Sequence, residues 1–187
     1  MHLRSRKIAY AGMMAAVTVL CMLAGSIFAV NTAFLLALAS FLAGSVYQFA
    51  GAKTSAGFIL ACFCLGLIVT PQKLYCFTYL GFAVYIWTTE TVFCRQQHWM
   101  QKGEKRAAIC GWVIRGVVYH LLLLTACTAY VLVFGTSTLL QNTWIHSLLS
   151  VPAALVCILL ICAEAAWQIF DRAYLFFQQK YGQYLLP

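Results

Sequence analysis

Two stretches of this sequence contain no Asp, Glu, Lys or Arg: the residues between Lys7 and Lys53, and those between Arg115 and Glu164. Crossing a hydrocarbon core takes about 20 apolar residues in a helix, so each gap has room for two crossings. Inside hydrocarbon the backbone must satisfy its own hydrogen bonds, which leaves helices or a closed barrel. The apolar runs lack the polar alternation of barrel strands. Composition removes the soluble alternative. The 187 residues are 64% hydrophobic and 9% charged, against about 45–50% and about 25% in soluble domains. Four acidic and twelve basic residues cannot coat a water-facing surface on this length of chain. The sequence therefore reads as an all-α integral membrane protein.

Apolar runs and turn signals predict a compact bundle of six transmembrane helices forming one domain over residues 1–187. The expected spans are Ile8–Phe28, Ala33–Ala50, Ser55–Thr70, Leu74–Phe93, Ala107–Phe134 and Trp144–Phe170. The first gap breaks at Gly25-Ser26 and Asn31-Thr32. The second breaks at Gly135–Thr138 and Gln141-Asn142, small polar clusters that mark turns. A hydrophilic linker, about 94–106, joins helices 4 and 5. The tail, about 171–187, is expected to continue helix 6 and then lie along the membrane interface, where Tyr and Phe are favoured.

Short cytoplasmic loops collect Lys and Arg. Six crossings with both termini cytoplasmic place Arg4, Arg6, Lys7, Lys53, Arg95, Lys102, Lys105, Arg106, Arg172 and Lys180 inside, ten of the twelve basic residues. Arg115 falls within a helix, and only Lys73 lands outside. Topology and anionic lipid account for the net charge of +8 without nucleic acid. Eight of the nine cysteines fall in expected spans, with Cys94 at a helix end. Cys62 and Cys64 point to opposite sides of a helix, so no metal site or disulfide is expected.

Lys73 interrupts apolar sequence at Thr70-Pro71-Gln72-Lys73, where proline ends helix 3. It reads either as a snorkelling lysine or as a cationic contact for an anionic group arriving from outside. Gln72, Tyr75 and Tyr79 form a stripe beside it, which suits a pocket wall or an aromatic belt. The other outward turns add Asn31 and Thr32, then Gln141, Asn142, Trp144 and His146. Together these suit a small polar or aromatic ligand, and they are also ordinary loop chemistry.

Arg115 and Glu164 both lie about 10 Å deep from the same side. Intramembrane charges normally face inward and pair, so an Arg115–Glu164 ion pair is expected, with Glu90 competing. His120, nearer mid-membrane, reads as a neutral hydrogen-bonded core residue. No hydrolase, nucleotide-binding or metalloprotease motif occurs. No enzyme activity and no cofactor are expected.

Small residues line helix 1, with Ala11-xxx-Ala15 and Gly12-xxx-Ala16 each on one side, a spacing that lets another backbone approach. The stretches KIAYAGMMAAVTVLCMLAGS (7–26), LLALASFLAGSVYQFAG (35–51) and LIVTPQKLYCFTYLGFAVYIWTTE (67–90) resemble the S component, the substrate-binding membrane subunit, of energy-coupling factor transporters, and in particular uncharacterised Firmicute-type relatives. Those relatives carry Pro-Asn-Lys where this chain has Pro71-Gln72-Lys73. The resemblance covers the first half, and the second half is similar only in helix count and topology. It implies a multi-pass bacterial plasma-membrane protein that captures a vitamin-like micronutrient in an outward pocket. On this chain that pocket would use Asn31, Gln72, Lys73, Tyr75, Tyr79, Asn142, Trp144 and His146. It also implies docking, through Ala11 and Ala15, to a transmembrane coupling subunit with two ATPase subunits. The alternative is a non-transport membrane scaffold or regulatory protein of the cell envelope.

Overall fold

A computed structural model describes residues 2–28, 31–101, 107–141 and 152–185. It places them in six helices: α1 (His2–Ile27), α2 (Thr32–Ala50), α3 (Ala52–Val69), α4 (Lys73–Gln101), α5 (Ala107–Gln141) and α6 (Pro152–Leu185). No strand occurs among the described residues. Among the described residues, four helices are long and apolar enough to cross a membrane: Ser5–Ile27, Thr32–Ala50, Ala52–Val69 and Ala108–Ala129. Ile8, Met13, Leu20, Leu60, Ile68, Leu121 and Ile161 all face outward. Large aliphatics on the outside of a helical bundle suit a hydrocarbon surround and would be costly in water.

Helix α2 sits at the centre. Its run from Ala39 to Val46 is buried on every side, as expected for a helix without a polar face. Ala39, Ser40, Ala43, Gly44 and Ser45 supply this run, and their small size lets α1, α3, α4 and α6 all pack against it. The α2–α3 connection is a single residue. Gly51 takes φ +93, a left-handed conformation natural to glycine, and donates its N–H to Tyr47 O at 2.9 Å. Ser55 then ties the two helices by donating to Ala43 O at 2.9 Å. At the opposite end, Thr70 is extended ahead of Pro71, and its hydroxyl donates to Gly66 O at 2.6 Å. That closes α3 where the proline dictates.

Three boundaries differ from the sequence reading. Helix α4 continues to Gln101, so residues 94–101 are helical rather than linker; 102–106 lie outside the described residues. Helix α5 runs through Gly135–Thr138 to Gln141, so the break in the second gap comes later than expected. The largest correction concerns the tail. Helix α6 is continuous to Leu185, and Trp167, Asp171 and Tyr174 are buried in the bundle. Phe41 of α2 packs on Phe170, Tyr174 and Phe177, with ring centroids 5.3–5.4 Å apart. Ring pairs of this kind contribute about 0.5–1.5 kcal/mol each beyond the area they bury.

Candidate functional site

The turns after α1 and α3 lie at one end of the bundle and bring Asn31, Gln72 and Lys73 to the surface, with Tyr75 half-buried beneath them. Lys73 is engaged locally. Its Nζ donates to Leu67 O and, at 2.9 Å, to Thr70 O, so the ammonium sits on the carbonyls that α3 leaves unpaired at its C-terminus. Gln72 O accepts the Tyr75 N–H at 3.2 Å. Tyr79 departs from the expected pocket wall. It is fully buried among α1, α3 and α4, beside Cys62 and Thr18. The Tyr79 and Thr18 hydroxyls find no hydrogen bond of good geometry there. Asn142, Trp144 and His146 lie outside the described residues.

Toward the other end, α4, α5 and α6 converge on a buried polar network. Arg115 Nη1 meets Asp171 Oδ1 at 3.1 Å, with both side chains buried. Tyr85 donates to the same oxygen at 2.9 Å, and Trp167 Nε1 donates to the Tyr85 hydroxyl at 2.8 Å. The guanidinium also lies 4.7 Å from the Phe93 ring centroid, a cation–π arrangement. The expected pairing of Arg115 with Glu164 or Glu90 is therefore corrected. Because α6 does not stop at Phe170, Asp171 comes level with Arg115, while Glu164, seven residues earlier, comes level with His120.

Glu90 is buried and accepts from the Tyr174 hydroxyl and, at 3.1 Å, from Gln48 Nε2. Gln178 Nε2 donates to Tyr174 Oη at 3.1 Å. This second cluster stitches α2, α4 and α6 together. Gly44 makes it possible, because a Cβ there would overlap the Tyr174 hydroxyl and lie 2.9 Å from the ring Cζ. A charge at the bilayer centre costs about 2.5–3.5 kcal/mol on insertion scales, so hydrogen bonds of this number are what make the buried carboxylates tolerable.

His120 is also corrected: it is half-exposed rather than buried in the core. Nε2 lies 2.9 Å from Glu164 Oε1, and Nδ1 lies 2.7 Å from Gly116 O.

On α1, Tyr10, Met14, Thr18 and Met22 turn inward, and Ala11 and Ala15 are half-buried against the same core. Ala9, Gly12, Met13, Ala16 and Val17 face outward, and a Cβ added at Gly12 meets nothing within 4 Å. The fully open small-residue pair is thus Gly12-xxx-Ala16, with Ala11 and Ala15 along its edge.

Compared with known protein families, curated proteins and solved structures, the chain matches none.

Asp171, Tyr85, Trp167 and Tyr174 escaped the sequence reading. A usable signal was there: Trp167, Asp171, Tyr174 and Gln178 recur at helical spacing, marking one face that runs on past the expected end of helix 6.

Proposed function

We propose that this chain is the membrane-embedded substrate-binding subunit of an energy-coupling factor type transporter. In this reading it sits in a bacterial plasma membrane, takes a vitamin-like micronutrient from outside, and relies on a coupling subunit and two ATPases for energy. The observation that carries the reading is the open Gly12-xxx-Ala16 face of α1. Between helices in lipid there is no hydrophobic driving force, and association depends on close packing, which small residues permit. A bundle that needed α1 only for its own packing would turn these residues inward. Here Tyr10 and Met14 go inward, and Gly12 and Ala16 stand on the outer face between Met13 and Val17. The ligand site in this reading is the rim formed by Asn31, Gln72, Lys73 and Tyr75, completed by Asn142, Trp144 and His146. Tyr79 is a packing residue beneath it.

One observation favours the alternative of a non-transport scaffold: Lys73 is already committed to the end of α3. Affinity purification of the tagged chain from its native membrane, followed by native mass spectrometry, separates the two. The transport reading expects a transmembrane coupling subunit, ATPases and a retained small molecule. A chain recovered repeatedly with none of these is a scaffold.

A further inference from the structure

A groove of about 430 Å³ opens between α5 and α6, on the outer side of the bundle. Its walls include Trp112, Gly116, His120, Leu124, Glu164 and Trp167, and its volume falls in the range of roughly 300–1,000 Å³ typical of ligand sites. The span Ala108–Ala129 of α5 is only 11% buried, the least covered of the four membrane-length spans. At mid-span it nevertheless carries a polar pair, with His120 and Glu164 side chains 44% and 50% exposed. Ionisable groups in membrane spans normally face protein or a water-filled cavity, so this pair marks a site rather than a lipid contact.

The proton count follows from geometry. Gly116 O can only accept, so His120 Nδ1 at 2.7 Å carries a hydrogen. Nε2 and Glu164 Oε1, 2.9 Å apart, then hold one proton between them, since two bare acceptors would repel at that distance. The pair is neutral as a unit. Its other carboxylate oxygen, Oε2, makes no hydrogen bond among the described residues. Around it stand electron-rich rings: Trp112 and Trp167 have centroids 5.5 Å apart, and His120 lies edge-on to Trp167 at 6.5 Å. Two indoles and a carboxylate oxygen are complementary to positive charge.

We infer that the α5–α6 groove is a site for a lipophilic organic cation that reaches it sideways from the bilayer and displaces the proton shared by His120 and Glu164. The displaced proton passes to bulk water, so one proton is exchanged for one monovalent cation and the groove stays neutral. The other titratable groups facing this region are already committed. Tyr119 donates to Ala163 O at 3.1 Å, and Arg115 is tied to Asp171. The site is independent of the transport reading, which rests on α1 and the rim.

The test uses the full chain in nanodiscs of zwitterionic lipid with tritiated tetraphenylphosphonium. We expect saturable binding at one site per chain above empty discs, and no competition by tetraphenylborate. Glu164→Gln should weaken binding at least tenfold and Trp112→Ala severalfold, each with an unchanged thermal melt. His120→Gln, which keeps a hydrogen-bonding head beside Glu164, should keep the site. The inference is overturned by absence of saturable binding, by equal binding to Glu164→Gln, by tetraphenylborate competing equally well, or by a dimer in which a second copy covers the groove and excludes the probe.

Discussion

Arg115 and Asp171, 56 residues apart in sequence, meet at 3.1 Å in the buried region where α4, α5 and α6 come together. Removing one member leaves the other as an uncompensated buried charge, which costs about 3–5 kcal/mol, whereas replacing both with apolar residues of similar volume is often neutral. Arg115→Met and Asp171→Asn should each lower the thermal midpoint sharply, and Arg115→Met/Asp171→Leu should recover most of the loss. A thiol-reactive dye reports this as labelling added to that of the exposed Cys64, Cys94, Cys110, Cys127 and Cys162, since Cys62 and Cys76 are buried until the bundle opens. Single variants that melt with the parent chain would remove the pair from the stability of the fold.

The contact between Gly44 and Tyr174 makes a second prediction. Gly44→Ala forces the tyrosine off Glu90, and overpacking of this kind costs about 1–3 kcal/mol. Tyr174→Phe keeps the ring but removes the hydrogen bond to a buried carboxylate, again about 1–3 kcal/mol. The two effects share a cause, so the double variant should lose less than their sum. The ring Cζ at 2.9 Å from the new Cβ keeps it below either single change. Gly116→Ala should be milder, because its Cβ meets the Trp167 ring edge at 3.2 Å. Thermal melts of the four variants decide the order.

What the sequence disclosed, and what it hid, follows from how far each physical signal reaches. Charge-free gaps and Pro71 located α1, α2 and α3 closely, because hydrophobic length and proline chemistry act locally. Asp171 was not legible as a buried residue, because a charge near Arg172 and Lys180 looks like the start of an interfacial tail. Only its helical phase with Trp167, Tyr174 and Gln178 reveals that it faces inward. The same error sent Arg115 to Glu164, since partner choice depends on how α5 and α6 line up, and that register depends on where α6 ends. Lys73 was ambiguous for another reason: its partners are backbone carbonyls, which carry no sequence signature.

Lys73 can be assigned by separating its two roles. Lys73→Gln removes the charge at the end of α3 and keeps a hydrogen-bonding head, whereas Lys73→Ala removes both. Exposed helix-end interactions are small, so Lys73→Ala should cost less than about 1 kcal/mol. The loss should appear as faster amide exchange at the end of α3, around Leu67–Val69. If the rim also binds an anionic group of the ligand, uptake falls in both variants and is not restored by glutamine. Unaltered uptake in Lys73→Ala, alongside faster exchange, would leave the lysine as a helix cap and nothing more.

The face of α1 gives the last prediction, because neighbouring positions on one helix test opposite things. Gly12 opens onto empty space, so Gly12→Trp should fold and melt like the parent chain while blocking the close approach of a partner helix. Ala16→Trp, one turn further along the same exposed face, should behave alike. Ala11→Trp and Ala15→Trp are different, since both positions are half-buried against the core. A large ring there should loosen the bundle itself, costing about 1–3 kcal/mol, and disturb assembly indirectly. Co-purification with the coupling subunit that the transport reading expects, set beside thermal melts, distinguishes the pairs. Assembly lost at Gly12 and Ala16 with stability intact identifies the docking face. Assembly retained in both variants would withdraw the one observation on which the transport reading stands.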